Sequence, residues 1–354
     1  MMIKRRCGAA LAALVAVSGC GNGGNGGGGT SAVPVVTSPV PAPAPAPSPT
    51  ATPTPAPIAS PTPTPPAAMP TSWTAAAASL YDVQPDAASC RPGSLKASVK
   101  ADFLARLNAI RALHQLPAVT YSNAEDAQEA ESSLMMAVGK RLSHTPSSDW
   151  TCYTAGGAAA AGTSNLIGGW GTGLGFDSED EYLGLWLTEG GSAAIGHRRW
   201  ILNPFLGKTS YGRVALILPD GSRASAASMR VFNFAANAPV PTGLPPYVAY
   251  PSGDYPARYF DLAGYLSFSV VAGTSNAFGA NANVSFARAT ITVTGPAGTL
   301  AVSNVTSDND GYGLANNVQW RVAGLQRGSS YTVRIAGVTG APQTEYTYTF
   351  RITG

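Results

Sequence analysis

The chain has 354 residues, of which only 12% are charged, with 22 Lys and Arg against 19 Asp and Glu. Three basic residues, Lys4, Arg5 and Arg6, stand at the N-terminus, so the rest of the chain is neutral (22 − 3 = 19 basic against 19 acidic). A neutral chain without a Lys/Arg cluster cannot collect phosphates by counterion release. This argues strongly against nucleic acid as a partner and weakly against anionic membrane surfaces.

Residues 1–20 have the order of a secretory signal, with a basic start, an apolar run from Ala9 to Val17 and then small residues. The apolar run is about half of the roughly 20 residues that a membrane-spanning helix needs. Its ending, VSGC at Cys20, resembles the bacterial lipobox, which implies cleavage before Cys20 and a diacylglycerol on its thiol. We therefore expect secretion across the inner membrane and attachment to an envelope lipid through Cys20, at the outer membrane in a cell with two membranes. An ordinary cleaved signal with a chance cysteine is the alternative.

Residues 21–75 are predicted to form a disordered stalk. Residues 21–70 include no charged residue, and 15 of the 29 prolines fall between Pro34 and Pro70. Such a composition cannot bury a hydrophobic core. The proline-rich part favours polyproline II at ~3.1 Å per residue, which gives a reach on the order of 100 Å.

The four cysteines divide by position. Cys7 leaves with the signal and Cys20 would carry the lipid, so Cys90 and Cys152 are the remaining pair in an oxidising compartment. We predict a disulfide between them, two free thiols being the alternative. No CxxC spacing is present, so neither a zinc knuckle nor a thioredoxin-like redox site is indicated.

Residues 76–238 are predicted to form an α+β domain. Apolar residues at helical spacing, Ser/Glu capping pairs and terminating glycines predict helices, and later extended runs predict a hairpin. The predicted helices cover residues 95–114, 122–139, 178–190 and 197–202, and the hairpin strands cover 213–218 and 229–234. The segment GGWGTGLG at 168–175 follows no predicted strand and is interpreted as a mobile flap.

Residues 239–354 have a different sequence pattern, in which apolar residues occupy every second position. Tyr346, Tyr348, Phe350 and Ile352 are one example. Six or seven short strands of this kind predict an antiparallel, immunoglobulin-like β-sandwich without an internal disulfide. The loop at 308–311 (DNDG) has the acidic character of a calcium loop. It lacks the downstream bidentate Glu, so a plain turn is predicted.

Only three histidines occur in the chain. His114 ends a predicted helix, where a partial positive charge is favourable, and is assigned a structural role. His144 lies in LSHTP and His197 in GHRRWILNP. These two are the candidates for a functional site.

Four segments in order resemble the CAP superfamily of cysteine-rich secretory, antigen 5 and pathogenesis-related 1 proteins. They are FLARLNAIRALHQLP at 103–117, LSH ending at His144, WLTE ending at Glu189, and GHRRWILNP at 196–204. The resemblance implies an α-β-α sandwich with a surface cleft lined by two histidines and two acidic residues. The family's Gly-Glu-Asn appears here as Thr-Ser-Asn, with Ser164 in place of the first Glu and Asn165 after it.

The expected cleft therefore contains His144, Glu189, His197, Ser164 and Asn165, and no cofactor is certain. Two imidazoles and a carboxylate can hold a zinc or another divalent cation with one position open. Glu189 can instead orient a histidine, or the cleft can be a polar pocket that binds water. A Ser-His-Glu set with Ser164 is a weak inference, because the Gly-X-Ser-X-Gly elbow is absent.

These observations favour a cell-surface lipoprotein whose CAP domain binds an extracellular ligand and is not an enzyme. The resemblance suggests a lipid, a sterol, another small hydrophobic molecule, or a cell-wall or host-surface component. One alternative is a metal-dependent hydrolase with His144, His197 and Glu189, the last as general base. The other is an adhesive spacer protein in which the β-sandwich makes the contact.

Overall fold

The computed structural model describes residues 72–190, 192–232 and 241–354, all of which belong to one compact unit of the chain. The predicted signal peptide, Cys20 and nearly all of the predicted stalk lie outside the described residues.

Up to residue 232, the described chain forms six helices and seven strands. The helices are α1 (Trp73–Ser79), α2 (Ala97–Leu113), α3 (Asp126–Gly139), α4 (Ala155–Ala161), α5 (Glu179–Thr188) and α6 (Gly196–Ile201). The strands are β1 (Tyr81–Val83), β2 (Ser94–Leu95), β3 (Thr120–Tyr121), β4 (Ser164–Gly171), β5 (Lys208–Thr209), β6 (Tyr211–Ile217) and β7 (Arg223–Arg230). None of the helices in the described ranges has the length and apolar character to cross a membrane.

An antiparallel sheet in the order β4-β7-β6 forms the middle layer of this region. Helix α3 packs on one face, against β6 and β7. Helix α5 packs on the other face, where Trp186 Nε1 donates to the carbonyl of Leu166 at 3.2 Å and the Tyr182 hydroxyl donates to Ser225 at 2.8 Å. The α-β-α sandwich implied by the family resemblance is therefore present.

The two predicted capping boxes have different outcomes. Ser178 and Glu181 form one at the start of α5, with each side chain bonding the other residue's backbone N–H. Ser122 instead donates to the carboxylate of Glu125 at 2.7 Å, and α3 begins only at Asp126. The prediction of a helix from residue 122 is wrong by one turn because the serine hydroxyl is engaged by a side chain.

Two sequence interpretations need correction in the sheet, and one among the helices. Residues 168–171 are part of β4 and not of a flap, and the second hairpin strand is Arg223–Arg230 and not 229–234. That strand, RASAASMR, has few β-formers, but its small side chains allow α3 to lie close to the sheet. The short helices α1 and α4 were also outside the predicted set.

The disulfide between Cys90 and Cys152 is formed as predicted, with the two Cα atoms 5.2 Å apart. Cys152 packs against the smaller of the two hydrophobic clusters, beside the α3 residues Leu134 and Met135. The bond therefore ties the chain before α2 to the segment that leads into α4.

Residues 241–354 form two sheets and two short 3₁₀ turns, Ala257–Tyr259 and Gly279–Asn283. The strands are β8 (Tyr247–Tyr250), β9 (Gly253–Pro256), β10 (Leu266–Val270), β11 (Thr290–Gly295), β12 (Gly298–Leu300), β13 (Val302–Asp308), β14 (Asn317–Val322), β15 (Ser330–Ala336) and β16 (Glu345–Thr353). The sheet orders are β13-β14-β10-β8 and β12-β11-β15-β16-β9.

The two sheets pack face to face through aromatic side chains. Phe268 of β10 stacks on Tyr348 of β16 with ring centroids 6.0 Å apart. Alternating residues of β16 are buried, as the two-residue period predicts. The expected antiparallel pairing holds for these strands except at one edge, where β9 pairs parallel with β16.

The β-sandwich packs directly on the first region through the buried His114. Its Nδ1 lies 2.8 Å from the carbonyl of Ala249, which can only accept, so Nδ1 carries the proton and Nε2 accepts from the Tyr255 hydroxyl at 3.1 Å. Burial lowers the pKa of His114 to about 4. The imidazole is therefore neutral. The prediction that a positive charge on His114 stabilises the helix end is wrong.

Candidate functional site

The junction between α5 and α6 is built around the carboxylate of Glu189. Glu189 ends α5 with φ of 46°, a left-handed conformation that turns the chain toward α6. Its side chain is only 4% exposed. It accepts from the backbone N–H of Arg198 at 3.0 Å and lies 3.3 Å from Nδ1 of His197. The carboxylate therefore both caps the first turn of α6 and orients a histidine.

This contact orients the ring of His197. When Nδ1 carries the proton that faces the carboxylate of Glu189, Nε2 is the acceptor of the neutral ring. The side chain is 37% exposed. The backbone is held as well, because Asn165 Nδ2 donates to the carbonyl of His197 at 3.0 Å. Strand β4 and helices α5 and α6 thus converge on one half-exposed imidazole.

His144 lies in the exposed loop that follows α3. Its Nδ1 donates to the carbonyl of Ala161, at the end of α4, at 2.7 Å. Among the described residues, no hydrogen bond or ion pair joins His144 to Glu189 or His197.

Ser164 faces away from Asn165 because successive residues of a strand point to opposite faces of the sheet. It is 3% exposed, and its hydroxyl lies 2.9 Å from both carboxylate oxygens of Glu129 on α3. The Ser-His-Glu set considered from the sequence is therefore not assembled. Of the five expected cleft residues, the structure brings together Glu189, His197 and Asn165, and it gives Ser164 and His144 other partners.

Glu129 was missed by the sequence analysis. Ser164 and Ser228 both donate to its carboxylate, which lies between α3 and the sheet. Burial raises the pKa of Glu129 to about 7, and the two serine hydrogen bonds oppose this shift. The only sequence signal is the helical spacing of Glu129, Ser132 and Ser133, which the structure shows to share the buried face of α3.

The residues expected to hold a metal do not fit one. In the part of the chain that the structure describes, no three His, Cys, Asp or Glu side chains form a cluster suited to a cation. Zinc bound by proteins needs at least three such donors around one point. The set of His144, Glu189 and His197 is not supported by this geometry, and no chemical step is derived through a metal.

The DNDG loop behaves as the predicted turn. Asp308 accepts from Arg199 Nη1 at 2.8 Å, and Asn309 Nδ2 donates to the carbonyls of Ala282 and Val284. These side chains stabilise the β-sandwich and its contact with α6.

Comparison with known proteins agrees with this geometry. No curated protein matches the chain. Residues 104–214 match the CAP family model, described as the cysteine-rich secretory protein family. The match runs from α2 to the start of β6 and includes Glu189 and His197. The chain therefore contains a domain of the CAP family.

Proposed function

We propose that this protein is an envelope lipoprotein whose CAP domain binds a polar cell-surface component at His197 without turning it over. Proteins of the CAP family are usually extracellular. The observation that carries the proposal is the Glu189–His197 pair, which presents an oriented and half-exposed imidazole. A preoriented side chain loses less conformational freedom on binding and so contributes more to affinity.

Binding is favoured over catalysis by what surrounds His197. A nucleophilic mechanism needs a hydroxyl or thiol within hydrogen-bond reach of the base. Among the described residues, no such group contacts Nε2 of His197, and Ser164 is engaged by Glu129. The metal-dependent alternative needs three donors around one cation, which the described residues do not provide.

The polarity of the site favours one of the ligand classes considered. The carboxylate of Glu189 contacts the ring of His197 at Nδ1, and the side-chain amide of Asn165 holds its backbone carbonyl. A free imidazole acceptor beside them suits the amide and hydroxyl donors of a cell-wall polymer. A sterol or an acyl chain needs a mainly apolar pocket.

The test is a sedimentation assay of the full-length protein with isolated peptidoglycan sacculi. We expect the wild type to sediment with the sacculi and His197→Ala to bind about tenfold more weakly, the effect of losing one hydrogen bond. His144→Ala is the matched control and should bind like the wild type. Loss of binding in His144→Ala with normal binding by His197→Ala would contradict the site assignment.

A second arm separates the ligand classes. Cys20→Ala protein, which cannot carry the lipid, is mixed with phosphatidylcholine vesicles with and without sterol. Binding to vesicles but not to sacculi would replace the polar ligand with a lipid or sterol. Binding to neither would refute the proposed function.

The anchor is tested by mass spectrometry of the membrane fraction. We expect a mature N-terminus at Cys20 that carries a diacylglycerol, and release of Cys20→Ala into the medium or periplasm. An N-terminus at any other residue would remove the anchor from the proposal.

A further inference from the structure

A small cavity lies between the two folded regions, where α6 meets the sheet β13-β14-β10-β8. Arg198 and Arg199 of α6 form one wall, and Ser269 of β10 and Asn317 of β14 form the opposite one. The ring of Tyr312 also lines it. The cavity is distinct from the exposed face of His197 and contains no residue of the proposed ligand site.

Two side chains of this cavity have buried polar atoms without a hydrogen-bond partner. Asn317 is 1% exposed, and neither its amide nitrogen nor its amide oxygen has a hydrogen bond. Nε of Arg199 is also buried without a partner, although Nη1 bonds Asp308 and Nη2 bonds the carbonyl of Leu314. Leaving such a buried donor unsatisfied is unfavourable, and more so for a charged group. The arrangement therefore has two N–H donors that a ligand in the cavity can satisfy.

The charge around the cavity is positive. Arg198 is 1% exposed, its side chain donates to the carbonyls of Leu187 and Tyr265, and its guanidinium lies 3.8 Å from the ring centre of Tyr250. No carboxylate among the described residues forms an ion pair with this guanidinium, since Glu189 accepts only the backbone N–H of Arg198 and pairs with His197. A buried charge without a counterion is unfavourable.

The cavity is small. Its volume is about 20 Å³, and one water molecule needs roughly 10–15 Å³ on the same measure. This volume matches a single ion about the size of chloride better than a sulfate, a phosphate or an organic acid.

We propose that this cavity is a binding site for one monovalent halide, held by Nε–H of Arg199 and the side-chain amide of Asn317. The Ser269 hydroxyl, on the same wall as Asn317, is a third available donor. The bound ion offsets the positive charge of Arg198 and links α6 to the β-sandwich. An ordered water molecule in the same place is the competing occupant.

The direct test is crystallography of the full chain with sodium bromide, since bromide scatters anomalously and water does not. We expect an anomalous peak within hydrogen-bonding distance of Arg199 Nε and Asn317 Nδ2. Ordinary density without an anomalous signal there, in crystals with bromide bound elsewhere, would overturn the proposal in favour of water.

Thermal unfolding in solution gives an independent readout. We expect bromide to raise Tm saturably, and sodium sulfate at equal ionic strength to give only an unsaturated change because sulfate is too large. Asn317→Leu should lose both the saturable shift and the anomalous peak. Asn283→Leu, at an exposed asparagine of the same region, is the matched control and should keep both. A saturable shift that persists in Asn317→Leu would refute this site.

Discussion

The buried carboxylate of Glu129 gives the sharpest prediction about stability. Burial raises its pKa from 4.5 to about 7, Glu125 adds to the shift, and Arg230 and the hydroxyls of Ser228 and Ser164 oppose it. The folded protein thus holds this proton more tightly than the unfolded chain. Stability from this group is present below pH 4.5 and is lost as the pH rises to about 7. The difference between the two pKa values corresponds to about 3 kcal/mol.

The perturbation is Glu129→Gln, which has nearly the same shape and cannot ionise. Urea unfolding of the wild type and the variant is measured from pH 4 to pH 8. The wild type should lose about 3 kcal/mol relative to the variant across this range. Titrations elsewhere in the chain are shared by both proteins and cancel in the difference.

Two further variants test the same prediction, one by shifting the pKa of Glu129 and one as a charge control. Ser228→Ala removes a hydrogen bond that favours the ionised carboxylate, so the pH-dependent loss should move to higher pH. Glu131→Gln, on the same helix, controls for the removal of one negative charge. A difference between wild type and Glu129→Gln that does not change with pH would refute the reasoning.

Three other predictions concern packing, the domain junction and the disulfide. Gly212→Ala should destabilise by about 3 kcal/mol, because a Cβ there would lie 2.2 Å from the backbone of Glu129; an unchanged Tm contradicts this. The folded-state pKa of His114 is depressed to about 4, so its contribution is full above pH 6.5 and is lost on acidification toward pH 4, by about 3 kcal/mol. His114→Gln should reduce the fall in the free energy of unfolding between pH 6.5 and pH 4. An unchanged fall would exclude His114 as its source. The double variant Cys90→Ser/Cys152→Ser should lose about 4 kcal/mol by loop entropy, measured by thermal unfolding against the oxidised wild type, and it should match the reduced wild type.

Local patterns in the sequence predict much of the fold. Helix α5 and its capping box depend on residues three positions apart, and the strands of the second region depend on a two-residue period. Strand β7 could not be predicted in this way, because its Ala and Ser residues form a strand through pairing with β4 and β6 and packing against α3. Elements determined by tertiary packing leave a weak signal in the sequence.

In the candidate site too, contacts between residues close in the sequence were predicted and contacts set by tertiary packing were not. Glu189 and His197 are eight residues apart and were predicted together, and their contact is formed. The partner of Ser164 was not predicted, because its contact with Glu129 depends on how α3 packs over the sheet. Likewise, nothing in the segment GHRRWILNP indicates that the side chains of Arg198 and Arg199 contact the β-sandwich.

The most direct test of the account is NMR of the ring nitrogens in protein labelled with ¹⁵N-histidine. The chain has three histidines, so the spectrum contains three imidazole spin systems. On adding soluble peptidoglycan fragments, we predict a shift at Nε2 of His197, with Nδ1 remaining protonated toward Glu189, and no change in the buried ring of His114. A shift confined to His144, or no shift in any ring, would contradict binding at His197.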